Sequence, residues 1–194
     1  MKLRSPFFFI TSLLLALLLG GCSPQDAATP ASTVKREVSL PVVAAQAKGF
    51  SVGALMSANV VYVFFDTQCP HCAHLWEASA ALHKKVKFVW IPVRMISPIS
   101  LAQGAALLTA VDPAALMSEH EASLLAGKGG ISASSSISSE IEKNITANTQ
   151  LLNSFGAEAV PFVIAKNLKT GLTVTRDGAM STPVLAEFLG LDQP

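Results

Sequence analysis

Hydrophobic and polar positions follow two distinct periods along this chain. Asn59-Val-Val-Tyr-Val-Phe-Phe65 is a nearly unbroken β-branched and aromatic run, the pattern of a central strand buried on both faces. Pro70 then fits the first turn of a helix, where its missing N–H costs nothing. Leu75, Trp76, Ser79 and Leu82 recur at helical spacing and give one burial face. Lys84 and Lys85 close that helix with positive charge at the negative end of its dipole. Lys87–Ile91 is a second strand, stopped by Pro92. Strand, helix and strand in immediate succession predict a βαβ unit with parallel strands.

The stretch 99–155 predicts helices. Ala102–Ala110 is rich in Ala and Leu, Pro113 opens a further segment, and Gly127–Gly130 breaks it. Ser132–Ser139 reads as a loop or helix entry, with Ser139 and Glu142 spaced as a capping box. Ile137, Ile141, Ile145 and Leu152 then share a helical face. Pro161–Ala165 is a third strand, Lys169–Gly171 a turn, and Leu172–Arg176 a half-buried fourth strand. Thr182 caps a last helix running to Leu189, with Pro183 at its first position. The sum is an α/β fold in which βαβ precedes ββα and helices are inserted between them.

The first residues carry a different pattern. Lys2 and Arg4 precede a 13-residue apolar run, Phe7–Leu19, followed by Gly20, Gly21 and Cys22. A charged start, a short apolar core and small residues make a secretory signal. The core is shorter than the ~20 residues a membrane-spanning helix needs, although an uncleaved anchor is the alternative. Cleavage at Cys22 competes with ordinary cleavage after Ala27 or Ala28. The Ser, Thr, Ala and Pro content that follows reads as a flexible tether, with a short strand at Val38–Val43. The expected organisation is therefore a signal at 1–21, a tether at 22–47 and one folded domain at 48–194, with its helical insertion at about 99–155.

Composition narrows the function classes. Of 194 residues, 51% are hydrophobic and 14% charged, which excludes a chain too polar to build a core. The net charge is +1, and losing Lys2 and Arg4 with the signal leaves 12 basic against 13 acidic side chains. So near neutrality there is no electrostatic footprint for nucleic acid. Three cysteines are too few to staple a fold, and their placement matters more than their number.

Cys69-Pro70-His71-Cys72 follows the first buried strand and opens a helix. One cysteine stands at the helix start and the other a turn along, so their sulfurs can bond. Unpaired N–H groups and the positive end of the dipole stabilise a thiolate on Cys69, and His71 can add charge. In such settings a cysteine pKa falls to about 3.5–7.5. A stabilised thiolate favours the reduced form and makes the disulfide oxidising. The competing readings are weaker. A zinc half-site lacks a second CxxC, and His71, His74 and His83 do not complete a standard spacing. Haem attachment needs His where Ala73 stands. A purely structural one-turn bridge constrains almost no chain. His74 is expected to be partly exposed, and His83 and His120 solvent-facing. Trp76 and Trp90 read as core, while Met56, Met95 and Met117 are too scattered for a copper site.

Two resemblances add to this. Leu19-Gly20-Gly21-Cys22 resembles the lipobox of bacterial lipoproteins, which implies acylation of Cys22. Ser23 in place of Asp is similar to an outer-membrane sorting signal. From roughly Phe50 to Leu189 the chain resembles the thioredoxin superfamily, specifically the periplasmic Dsb thiol:disulfide oxidoreductases. Phe64–Cys72 is similar to the DsbC/DsbG group, with an aspartate three residues before the first cysteine, whereas the Pro-His pair is that of DsbA-type oxidases. Val160-Pro161 matches the cis-proline that faces the CxxC in this superfamily. In that superfamily the residue before the proline, which corresponds to Val160, pairs its backbone with substrate. Val63 stands where thioredoxin and DsbA-type proteins carry a buried acid, and Asp66 is the nearer carboxylate. The tether is shorter than the dimerisation domain of DsbC/DsbG-type isomerases.

The resemblance implies a thioredoxin-like fold with a helical insertion before the cis-proline strand. It implies catalysis by Cys69 and Cys72 as a redox-active disulfide, thiol tuning by Pro70 and His71, and substrate contact at Val160 and Pro161. No cofactor or metal is required. The implied partners are cysteine-containing client proteins, a membrane redox partner of DsbB or DsbD type and the membrane itself through Cys22. The implied location is the periplasm, at the outer membrane. Direction stays open: Pro-His points to oxidation, the surrounding sequence to an isomerase or reductase. The alternative function is a thioredoxin-fold metal- or thiol-binding chaperone without turnover.

Overall fold

The computed structural model describes residues 37–192. Within them, β1 (Phe50–Gly53), β2 (Val60–Phe65), β3 (Lys87–Pro92), β4 (Phe162–Lys166) and β5 (Thr173–Asp177) form one sheet in the order β1-β3-β2-β4-β5. The longest apolar run, β2, takes the centre. It pairs parallel with β3 and antiparallel with β4, while β1 and β5 add antiparallel edges. Phe64 and Phe65 are buried at the end of β2, and Phe65, Trp90 and Trp76 stack edge-on at 5.6 and 5.1 Å. Their burial contributes to core stability, because aromatic rings carry large apolar surfaces and edge-to-face geometry suits their quadrupoles.

The helices are α1 (Leu40–Gln46), α2 (Pro70–Ser79), α3 (Ile99–Thr109), α4 (Pro113–Leu125), α5 (Ser139–Ser154) and α6 (Thr182–Leu189). The crossover β2-α2-β3 makes the expected parallel unit, and α3, α4 and α5 fill the stretch expected to be helical. Helix α2 is shorter than its apolar face suggests. It tightens into a 3-10 turn at Ala80–Leu82, which drives Leu82 fully into the core.

Three expectations need correction. The proposed strand at Val38–Val43 does not form, and Leu40–Val43 open α1 instead, because Pro41 presets the first helical turn and Val-Val-Ala-Ala-Gln follows it. Val43 is completely buried, and the Asn148 side chain grips Lys48 at both its N–H and its carbonyl, 2.9 and 2.8 Å. Among the described residues, α1 therefore packs with the rest of the fold. The cap of α5 is Ser138, whose Oγ accepts from the Ile141 amide at 3.3 Å, so Ser139 and Glu142 form no capping box. The N-cap of α6 is Ser181, and Thr182 instead donates its hydroxyl to the Ala78 carbonyl at 2.8 Å, tying α6 to α2. The signal and the first part of the tether lie outside the described residues.

Candidate active site

Cys69 is the N-cap of α2, with extended backbone (φ −101°, ψ 109°) and Pro70 directly after it. An N-cap side chain faces the unpaired amides of the second and third helical residues, here His71 and Cys72. The first turn closes through the Cys72 amide donating to the Cys69 carbonyl at 2.9 Å. The two thiols are free and unequal. Cys69 keeps 4% exposure and Cys72 none, so a group arriving from solvent meets Cys69 alone.

The chemistry is as unequal as the access. A hydrogen bond from the Cys72 thiol draws the Cys69 pKa down to about 6, against the opposing effect of burial. The Cys72 and His71 amides, and then the His71 charge, add to the lowering. Cys72 is pushed the other way, chiefly by burial and then by its hydrogen bond to Cys69. At pH 7 this makes Cys69 about nine-tenths thiolate and keeps Cys72 a thiol. His71 is exposed, and its charge is the smallest of the stated causes; the helix amides matter more than this side chain.

Sheet register carries the second part of the site. Phe64 pairs with Phe162, so Pro161 falls beside the end of β2, just ahead of the CxxC turn. The Val160–Pro161 peptide is cis. Cys69 Sγ lies 3.3 Å from the Val160 carbonyl oxygen, to which its protonated form donates, and the Pro161 carbonyl is held by the Gly178 amide at 2.8 Å. Cys69, Pro70, His71, Cys72, Val160 and Pro161 are thereby brought to one end of the sheet. Cys22 lies outside the described residues.

Asp66 organises the loop between them. Its carboxylate, fully buried, accepts from the Gln68 amide (2.9 Å), the Met95 and Ile96 amides (2.7 and 3.0 Å) and the Ser100 hydroxyl (2.6 Å). All its acceptor capacity goes to structure. The helical insertion is pinned to the same loop. Gln68 donates to Gln103 at 2.7 Å, and Gln103 donates to the Gly129 and Ile131 carbonyls at 2.9 Å.

His120 is a correction. The polar stretch Ser-Glu-His-Glu suggested a solvent-facing residue, yet its ring is buried. Nε2 donates to the Thr67 carbonyl at 2.7 Å and Nδ1 accepts from the Ile131 amide at 3.1 Å. That pairing assigns the neutral Nε2–H tautomer, and burial lowers the pKa, opposed by the Thr67 bond. Gly130, at φ +87°, must be glycine twice over: its backbone is left-handed, and a Cβ there would strike the His120 ring. His83 is also not solvent-facing. It is half-buried between Trp76 and Phe88, with Nε2 3.2 Å from the Ser79 hydroxyl.

Sequence reasoning missed Glu121. This carboxyl, one residue beyond His120 on α4, is 1% exposed and neither oxygen has a hydrogen-bond partner. Burial raises its pKa to about 9, and the Cys69 and Glu77 charges push the same way. A signal existed: Met117, Glu121 and Leu124 recur on the helical burial period, which puts an acid on the face meant for the core.

With this geometry in hand, the relatives are informative. No family model matches the sequence. The chain is 33% identical over 141 residues to the thiol:disulfide interchange protein DsbG of Pseudomonas aeruginosa, covering 71% of this chain and 54% of that protein. Against DsbG of Escherichia coli K12 it is 33% identical over 106 residues, covering 54% of this chain and 42% of that protein. It therefore spans about half the length of the curated relatives it matches. Among solved structures, a periplasmic thioredoxin-like protein from Salmonella enterica serovar Typhimurium superposes with a TM-score of 0.62 at 18% identity, over 80% of this chain and 97% of that one. The thiol-disulfide exchange protein α-DsbA2 from Wolbachia pipientis gives 0.56 at 20%, over 73% and 86%. The fold is thioredoxin-like. Over the matched residues the chain is similar in sequence to DsbG.

Proposed function

We propose that this protein is a thiol:disulfide oxidoreductase that exchanges disulfides with cysteine-containing proteins through Cys69 and Cys72. The carrying observation is the inequivalence of the two thiols: one drawn to about 6 at a helix N-cap, the other fully buried and pushed up. The homology to DsbG supports the same reading.

The reaction follows from that inequivalence. With the pair oxidised, a client thiolate attacks Cys69 Sγ, the only sulfur open to it. The Cys69–Cys72 bond breaks, and Cys72 leaves as a thiolate that takes up a proton. A second client thiolate then attacks the client sulfur of the mixed disulfide. Cys69 leaves as its stabilised thiolate, and the client holds the new disulfide. In reverse, the Cys69 thiolate attacks a client disulfide and Cys72, once deprotonated, resolves the intermediate. A low leaving-group pKa speeds departure and stabilises the reduced protein, so the Cys69 environment favours the oxidising direction. Val160, whose carbonyl faces Cys69, and Pro161 would line the client backbone, with Pro70 and His71 completing the thiol environment.

The setting proposed is the periplasm. It rests on the residues 1–21 read as a lipoprotein signal and Cys22 as the acylated anchor, ahead of a tether and the domain described above. Several acyl chains make such anchoring stable. A membrane partner of DsbB or DsbD type would reset the redox state. Cys22→Ser should abolish fatty-acid labelling and release the protein from the outer membrane; unchanged membrane association would overturn the anchor. The exchange reading is tested with two variants. Cys69→Ser should reduce insulin disulfides no faster than buffer, and Cys72→Ala should accumulate mixed disulfides with clients. Full activity of Cys69→Ser would sink it.

A further inference from the structure

The mechanism leaves Glu121 unused, although among the described residues it is the buried acid whose carboxylate oxygens both lack a hydrogen-bond partner. Both carboxylate oxygens lack partners, and the residue is 1% exposed. Its helix, α4, is docked at this point on the redox turn. His120 next to it bonds the Thr67 carbonyl at 2.7 Å, two residues before Cys69, and α4 packs along α2. The groups that face Glu121 from α2 are Cys69, Cys72 and Glu77. The other elements packed on α4, α3 and β1, carry no titratable side chain, and His120 is neutral in its bonded tautomer. Burial is the first cause of its raised pKa, and the charge on Cys69 is the next.

We propose that Glu121 is a redox-linked proton site: its carboxyl takes up a proton when the Cys69–Cys72 disulfide is reduced and releases it when the disulfide re-forms. This rests on the exchange reading above. The step balances as follows. A client dithiol brings two electrons and two protons to the oxidised protein with Glu121 ionised. The client leaves as a disulfide, Cys69 becomes a thiolate, Cys72 takes one proton as a thiol, and Glu121 takes the other as a carboxylic acid. One negative charge is present before and one after; it has moved from the carboxylate to Cys69. The physical reason is that two neighbouring anions held out of water repel each other, so a new thiolate on Cys69 disfavours the ionised carboxylate. In the reduced protein the Cys69 charge is one of the causes that lift the Glu121 pKa to about 9; in the disulfide that cause is gone. Glu121 acts through the sulfurs' charge without bonding to the client, so it is a positioning group for protons.

The test is the reduction potential of the purified protein, equilibrated with glutathione buffers between pH 6 and 9, for wild type, Glu121→Gln and Glu121→Asp. The slope of potential against pH counts protons taken up per two electrons. Wild type should rise from about one proton near pH 6.5 towards two by pH 8.5, because Cys72 supplies the first and Glu121 the second. Above pH 7, where Cys69 is already a thiolate in the reduced protein, Glu121→Gln should stay at one, and Glu121→Asp should regain the rise. A second measurement is the infrared difference spectrum, reduced minus oxidised, at pH 8. It should gain a protonated carboxyl band that Glu121→Gln lacks. A proton count unaffected by Glu121→Gln, or no carboxyl band in wild type, overturns the proposal while leaving the exchange reading intact. If Cys69 and Cys72 form no disulfide at any buffer potential, both readings fall together.

Discussion

Asp66 and Glu121 are two carboxylates buried at the same end of the sheet, and they are treated in opposite ways. Asp66 sits in the turn between β2 and α2 and is surrounded by four donors, three of them backbone amides. Glu121 reaches the site from the helical insertion and meets none. A buried carboxylate with donors is a keystone, since its charge is repaid by charge-assisted hydrogen bonds. One without donors is a cost in its ionised form and so becomes sensitive to any nearby charge. The contrast assigns structure to the first and responsiveness to the second, although the sequence draws attention only to Asp66.

That contrast can be broken experimentally, starting where the effect is greatest. Asp66→Ala removes an acceptor from four donors at once, and buried groups left unpaired cost roughly 1–3 kcal/mol each. With partial relaxation the loss should be about 3–5 kcal/mol in denaturant unfolding, and the Met95–Ser100 loop should lose hydrogen-exchange protection. A loss under about 1 kcal/mol would remove Asp66 as keystone. His120→Phe keeps the ring volume and strands the Thr67 carbonyl and Ile131 amide; the expected cost is about 2–4 kcal/mol, again from denaturant unfolding.

Glu121 should do the reverse at neutral pH and reveal itself through pH. Its folded pKa, about 9, lies above the value in the unfolded chain, about 4.3. The folded state therefore binds the extra proton between those values, and its contribution is fully present below about pH 4.3 and lost as pH rises to about 9. Relative to Glu121→Gln, the reduced wild-type protein should lose up to about 1.4 kcal/mol per pH unit across that window. Cys69 has the opposite sign. Its folded value of about 6 lies below the ordinary ~8.5, so its contribution is present above about 8.5 and lost as pH falls through 6. Between pH 6 and 8.5 the two slopes oppose each other, and Glu121→Gln should unmask a rise in stability with pH that Cys69→Ser removes. Urea midpoints of the reduced proteins across this range check it; parallel curves for wild type and Glu121→Gln would refute it. The smallest effect should come from Arg94→Ala, because the Arg94–Glu142 pair at 3.9 Å is half-exposed and such pairs contribute within about 0.5 kcal/mol.

What was legible in the sequence were features with local causes. The Val60–Phe65 run, Pro70 after Cys69 and Pro183 near the start of α6 each signal an element within a few residues. The cysteine pair could be placed on a strand-to-helix turn for the same reason. What was not legible depends on docking between distant parts. Strand β1 has only four residues and exists because β3 offers it an edge. Helix α1 looked like tether because its single fully buried residue, Val43, gains meaning only against α5 and β4. His120 and Glu121 sit in a stretch that reads as solvated, and their burial is decided by α4 lying on α2. Ser139 and Glu142 matched the capping-box spacing, and nothing local showed that Ser138 would take the cap.

The central claim is that the N-cap of α2 holds Cys69 as a thiolate at neutral pH. Iodoacetamide alkylation of the reduced protein across pH 4–10, read by mass at Cys69, measures this directly. The account predicts a rate that rises with a midpoint of about 6; a midpoint at about 8.5, the value of an unperturbed cysteine, would contradict it.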